Sequence, residues 1–466
     1  MNRNPAKPRR PNPRSRHPRQ GPRWGWLEGL VIAQTLLPAL LFIPGVSKVR
    51  AANRIMAYGL GLIAWGVIRA RPTAASRLDR FPARPWLAGC ALWLVVLIAH
   101  PGSYSILAAS AQVLLYLAVM SPAFWAGRVV ESPRQVARVL AVLFVCNALS
   151  SAVGLAQVYR PDTFNPPVIP ALSDKFGGEQ LKFTTADGRK ILRPCGLTDT
   201  PGAAAQAGMI AALVGLSLAL RPIRWWRRLA CAGLGCVGVA VIYYSQVRFT
   251  MVMLGIGFAS LLVLFLWRGR LGAAAGLVGG AGVMLASAFA WVARNAGWKA
   301  FEKFGSLLSG DPASLYQKSR GFYVTETFER YIWEYPLGLG MGWWGMVHVA
   351  FGDPGRLSPV WVEVMIPGWV IDGGIPLLVM YSVAVIVALF DTARVALKCS
   401  NDHLSFWASV VFAHNLSVAA TCFSYLPFIS TIGLQFWLLA AAVHAADRRV
   451  REVHAPRPSR PQARVV

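Results

Sequence analysis

The chain has 466 residues, of which 55% are hydrophobic and 14% charged, and its 47 Lys and Arg against 20 Asp and Glu give a formal net charge of +27. A pI near 10.7 would fit a nucleic-acid binder, but a mean hydropathy of +0.46 means that most of the chain prefers hydrocarbon to water. That excludes nucleic acid as the partner and disorder outside the ends.

Residues 1–24 carry Arg3, Lys7, Arg9, Arg10, Arg14, Arg16, Arg19 and Arg23 on a Pro-rich background, with no small-residue cleavage site after them. They read as a basic, disordered cytoplasmic tail, not a removable signal. Twelve apolar runs follow, at 25–43, 55–68, 86–100, 105–121, 139–157, 204–220, 229–247, 249–267, 271–292, 372–390, 404–423 and 430–446. A spanning helix needs about 20 mostly apolar residues, so the pattern predicts an all-α fold: a polytopic membrane bundle of about 12 transmembrane helices. Helices 1–5 fall in 25–157, helices 6–9 in 204–292 and helices 10–12 in 372–447, with a basic cytoplasmic tail at 448–466.

Alternation from an inside N-terminus sends nearly two-thirds of the 47 Lys and Arg to the side of the tail and most acids to the other. The basicity is therefore mainly orientation signal, with both termini cytoplasmic and membrane lipids as partners. Lys48, Arg50 and Arg54 run against it, in the loop after the first run. Either the first two runs form a re-entrant pair, or these cations face lipid phosphates outside. Two segments fall on the outer side, 158–203 and the longer 293–371. A structureless loop of the second size is unusual, so it is expected to be an extracytoplasmic cap with its own helices, and the catalytic part.

Of the seven cysteines, only Cys195 falls clearly in an outer loop, so no disulfide framework is expected and no pair has zinc-ligand context. There is no GxxxxGK[ST] phosphate loop, no HExxH and no GxSxG, which removes support for an ATP-driven pump, a zinc protease and an α/β-hydrolase. What remains are outer-side cations and acids. Arg248, in Ser245-Gln246-Val247-Arg248, divides two apolar runs without Gly or Pro; it either faces the bundle interior or snorkels at a tight hairpin. Arg193 sits in the turn-rich run 192–202, where turn chemistry accounts for its Gly and Pro neighbours. Arg320 opens a helical stretch in which Phe328, Tyr331 and Ile332 form an apolar stripe and Glu326 and Arg330 an i,i+4 surface pair.

In order and sidedness these features resemble the O-antigen ligase and polymerase family. The resemblance covers about residues 190–390: the Gly/Pro-rich run 192–202, the Ser-x-x-Arg hairpin 245–248, an Arg-led helix in a long outer loop, Pro336-Leu337-Gly338-Leu339-Gly340-Met341-Gly342 beside the family's "PLLGxGxG", and Asp372-Gly373-Gly374-Ile375-Pro376-Leu377-Leu378 beside its "ExGlpGLL". It implies transfer or polymerisation of glycan from an undecaprenyl-diphosphate-linked donor to a glycan or lipid acceptor, on the outer face of a bacterial cytoplasmic membrane, without cofactor or metal. Arg193, Arg248 and Arg320 match the family's recurrent arginines as diphosphate-binding groups, and guanidinium suits that anion because it binds phosphate oxygens bidentately.

One departure is that the ligases' His-Asn pair is missing from 358–372. Glu363 stands near its offset and is read either as the general base, with Arg248 and Arg320 as catalytic partners, or as a surface carboxylate paired with Arg356 or another cation. His348, off register, is an alternative base or a surface histidine, while His414-Asn415 reads as a polar contact inside the eleventh run. The tryptophans at 298, 333, 343, 344, 361 and 369 read as an interfacial belt or as sugar-stacking surface. A flippase or transporter and a non-catalytic scaffold are the competing classes.

Overall fold

The computed structural model describes residues 25–43, 45–46, 50–70, 80–166, 182–184, 188, 190–297, 301, 305, 311–351 and 362–454. Both tails, Lys48, Trp298, Arg356 and Trp361 lie outside them, apart from the first residues after 447. The main helices are α1 (Trp26–Leu36), α2 (Arg50–Arg69), α3 (Arg84–Val96), α4 (Ile106–Met120), α5 (Pro122–Val129), α6 (Pro133–Tyr159), α7 (Ala204–Ala219), α8 (Trp225–Ser245), α9 (Arg248–Trp267) and α10 (Leu271–Ala296), followed by α11 over residues 312–334, α12 (Gly345–Phe351), α13 (Met365–Lys398), α14 (Asp402–Ala420) and α15 (Thr431–His454). The only sheet among the described residues is a hairpin, β1 (Lys182–Thr184) antiparallel to β2 (Lys190–Leu192), with Phe183 opposite Ile191.

Each of the twelve apolar runs falls on a helix. Among the described residues, seven helical stretches are long and apolar enough to cross a membrane, and four shorter apolar helices accompany them. Large apolar side chains stand exposed along the flanks, among them Leu92, Leu107, Val145, Val263, Val283 and Phe390, a surface that hydrocarbon solvates and water does not. Helices overrun the apolar runs at several ends: α6 begins at Pro133, α13 at Met365, and α15 reaches His454. Hydrogen bonding carries a helix past the apolar stretch when charged side chains keep their heads in water. Arg50 and Arg54 belong to the first turns of α2, not to a loop.

The bundle is built on close crossings. At the α7–α8 crossing, a Cβ on Gly208 would come 2.3 Å from the carbonyl oxygen of Gly238; only small residues let two backbones approach so near. α7 also packs on α6, α9 on α14, and α13 on both α3 and α14.

The helix ends sort into two sets. At one end Arg268 and Arg270 share Asp402, Arg394 and His444 share Asp391, Arg451 holds Asp447, and Arg138 approaches Glu28. At the other, Trp291 donates to Tyr159, which meets Tyr244, and Tyr316 donates to the Phe423 carbonyl. The helices between α10 and α13 lie at this second end. α11 is continuous from Pro312 to Glu334 but includes two π-helical turns, Gln317–Gly321 and Thr327–Tyr331. Each wider turn rotates the following residues about the axis, so the expected stripe does not form: Phe328 is exposed and Thr327 is the buried residue.

Candidate anion-binding site

Arg193 is held by a turn that α6 fastens. The Gln157 side chain accepts from the backbone N–H of Cys195 (2.8 Å) and Gly196 (3.0 Å) and donates to the Gly196 carbonyl (2.9 Å), while Ser150 accepts from Leu197 (3.1 Å). The Gly202 N–H closes the turn on the Pro194 carbonyl. Gly196 has φ +66°, and a Cβ there would meet the Ser150 hydroxyl at 2.5 Å, so glycine is required where the backbone lies against α6.

Arg248 is the first residue of α9 and follows a two-residue link from α8, in which Gln246 takes φ 51°, the only positive φ outside glycine among the described residues. The hairpin expected at 245–248 is present. It brings Arg248 within electrostatic reach of Arg193: burial first, and then Arg248, push the Arg193 guanidinium below its ordinary pKa. The Arg193 Nε is buried with no hydrogen-bond partner, as is the hydroxyl of Ser245. A buried guanidinium with an unpartnered Nε, within electrostatic reach of a second guanidinium, is an arrangement that an anion stabilises.

The other two predicted residues form a second pair. Arg320, in the first π-helical turn of α11, lies 3.4 Å from Glu363, both being about one-third exposed. Glu363 is thus paired with a cation, as one sequence reading allowed, and the cation is Arg320. Glu326 and Arg330 form the surface pair expected of α11, and Arg330 pairs also, more closely, with Glu334.

The Gly-rich segment 336–342 and the Asp372-Gly373-Gly374 segment, far apart in sequence, clasp one another. The Leu339 N–H donates to the Ile371 carbonyl and the Ile375 N–H to the Pro336 carbonyl, both at 2.8 Å. Gly374, with φ 64°, and Gly373 break the helical path of α13 there. Asp372 is fully buried and accepts from Tyr116 (2.8 Å), Trp344 (2.8 Å) and Gln112 (3.4 Å). No family model matches the chain, and no curated protein matches it.

Three expectations change at this end. His348 is not a surface histidine: it is buried, its Nδ1 lies 3.2 Å from the Gly342 carbonyl, and its ring stands edge-on to Tyr104 at 4.7 Å. Trp344 and Trp369 belong to the interior, Trp344 through Asp372 and Trp369 through stacking on Tyr381 at 4.9 Å, whereas Trp333 is exposed. Trp344 and Trp369 therefore serve neither as belt nor as sugar-stacking surface: packing takes them into the core, which composition does not reveal. Sequence reasoning missed Gln157, whose visible signal was a polar residue closing an apolar run, and read Asp372 only as part of a motif, as the acid at the head of another run. His414 and Asn415 are fully buried in α14, where Asn415 donates to the Phe436 carbonyl. Among the described residues no group of three or more His, Cys, Asp or Glu is placed to hold a metal ion.

Proposed function

We propose that the protein is a membrane glycosyltransferase that polymerises or ligates glycan from an undecaprenyl-diphosphate-linked donor at the outer face of the cytoplasmic membrane, with twelve spans and both termini inside. The observation that carries this reading is the buried, unpartnered Nε of Arg193, on a turn fastened by Gln157 at the end of the bundle opposite the basic one, with Arg248 within electrostatic reach. A polyprenyl diphosphate keeps its lipid in the bilayer and its anion at the interface, where such a pair is within reach.

In the reaction, an acceptor hydroxyl attacks the anomeric carbon, the bond from that carbon to the diphosphate oxygen breaks, and undecaprenyl diphosphate leaves. Negative charge grows on the departing diphosphate, and Arg193 and Arg248 stabilise it more in the transition state than in the ground state. Glu363 takes the hydroxyl proton, oriented by Arg320 at 3.4 Å. No step calls on a nucleotide sugar.

The test is glycan transfer by purified protein in vesicles holding a defined undecaprenyl-diphosphate oligosaccharide. Arg193→Ala and Arg248→Ala are each expected to lower the rate by about 100-fold or more, and Glu363→Gln to lower it at unchanged donor affinity. Full activity in both arginine variants sinks the anion site; a normal rate in Glu363→Gln removes the base.

A transporter of the same lipid-linked glycan is the second reading, favoured by the break in α13 at Gly373 and Gly374, since discontinuous helices mark many transporter binding sites. Movement of the lipid-linked substrate across the vesicle bilayer without a new glycosidic bond would establish it in place of transfer.

A further inference from the structure

The basic end holds a cluster that the glycosyltransferase reading does not use. Arg221 and Arg270 both stack on the ring of Phe406, at 5.0 and 5.9 Å from its centroid. Arg268 and Arg270 share a single acid, Asp402, at 3.2 and 3.4 Å. Arg268 also donates to the carbonyls of Leu397 and Cys399, and Arg270 to that of Asp402. Arg134 lies within electrostatic reach of the neighbouring His403, as does Arg221.

Topology alone does not account for this. Cations that set orientation need only remain in water near a helix end, whereas here Arg221 and Arg270 converge on one ring and Arg268 shares the acid of Arg270. The Arg268 and Arg270 side chains are only 22% and 18% exposed, while the carboxylate between them is 88% exposed. The Arg270 Nη1 is buried without a hydrogen-bond partner. Burial, then Arg268, weaken its hold on its proton, and Asp402 only partly offsets them. Converging, desolvated cations with one acid among them leave an excess of positive charge that a further anion satisfies.

The surroundings say which anion. Trp225, Trp267, Leu229 and Leu271 flank the cluster on the neighbouring helix ends and are 73%, 76%, 63% and 68% exposed, the mixture of aromatic and aliphatic surface that lies at the level of lipid headgroups. We propose that Arg221, Arg268 and Arg270 form a binding site for the phosphate of an anionic phospholipid, whose acyl chains lie along the apolar ends of α8, α9 and α10. Basic pockets between helices at a membrane face take lipid headgroups on these grounds.

The full-length protein is assembled into nanodiscs of phosphatidylcholine mixed with phosphatidylglycerol, then released into detergent, and the lipid retained is identified by native mass spectrometry. Wild type is expected to retain phosphatidylglycerol in preference, and Arg221→Gln/Arg270→Gln to lose that preference by roughly tenfold or more. Arg221→Gln alone leaves the Arg268 and Arg270 contacts to Asp402 in place, and is expected to lose part of it with unchanged thermal stability, which separates lipid loss from misfolding. Arg69→Gln/Arg160→Gln removes the same charge away from the cluster and is expected to keep the preference. Equal loss in that control, or no preference in wild type, overturns the site. Displacement of the lipid by inorganic phosphate at the lipid's own concentration would also overturn it, in favour of a free anion.

Discussion

At the scale of single residues, the anion site depends on a side chain that never reaches the anion. Gln157 meets two backbone donors and a carbonyl of the turn that carries Arg193, across nearly forty residues of sequence. Leucine fills similar space but leaves those N–H groups buried and unpaired, at about 1–3 kcal/mol. Gln157→Leu is therefore expected to lower stability by about that much, read by thermal unfolding in detergent, and to reduce transfer activity through a displaced Arg193. An unchanged unfolding curve would show that the turn holds without it. Arg248 was legible in the sequence because a charge between two apolar runs has few places to go, and the hairpin followed. Its pairing with Arg193 was not legible, since it depends on Gln246 adopting a positive φ, which no local rule assigns to glutamine, and on a latch from a distant helix. Asp372 was visible only as part of a motif; its three donors come from residues 112, 116 and 344, and no spacing rule joins those.

At the scale of elements, the clasp between 336–342 and the head of α13 governs the Arg320–Glu363 pair. α11 runs directly into Pro336, and Glu363 stands two residues before α13 begins, so both partners hang from the clasp. Gly374 is the tightest point: its φ is 64°, and a Cβ there would come 2.2 Å from the Pro336 carbonyl oxygen. Gly374→Ala is expected to destabilise the protein by more than the roughly 1–3 kcal/mol of backbone strain alone, because the carbonyl must also move. Gly279→Ala, in α10 with nothing near its added methyl, is expected to be neutral or slightly stabilising. Recovery of folded protein by size exclusion after graded heating compares the two; equal recovery would refute the clasp as a rigid joint. Helix existence was legible here and helix phase was not. The sequence periodicity of 320–336 assumes 3.6 residues per turn, and the two π-helical turns break that assumption with no Pro or inserted Gly to mark both of them.

At the scale of the whole molecule, the arginines that share buried or bridging acids gather at one end, with exposed tryptophans beside them, and their grouping is the feature most legible in the sequence. Alternation assigns each apolar run a direction from the tail's side, and the ion pairs of Arg268, Arg270, Arg394 and Arg451 meet at one end as that assignment requires. The reason is physical: the free energy of keeping a charge in water acts on every loop independently, so errors at one helix do not propagate, whereas register and contact depend on neighbours. The same independence makes sidedness testable one residue at a time. Ser319 in α11 and Ser400 between α13 and α14 are both exposed, and the seven native cysteines are free and buried or half-buried, which keeps background labelling low. A membrane-impermeant maleimide applied to intact cells is expected to modify Ser319→Cys, and to modify Ser400→Cys only after the membrane is opened. Labelling of both in intact cells, or the reverse pattern, would place the basic end outside. The arginine pair would then face the compartment in which lipid-linked glycans are built, and the proposed direction of transfer would fail with it.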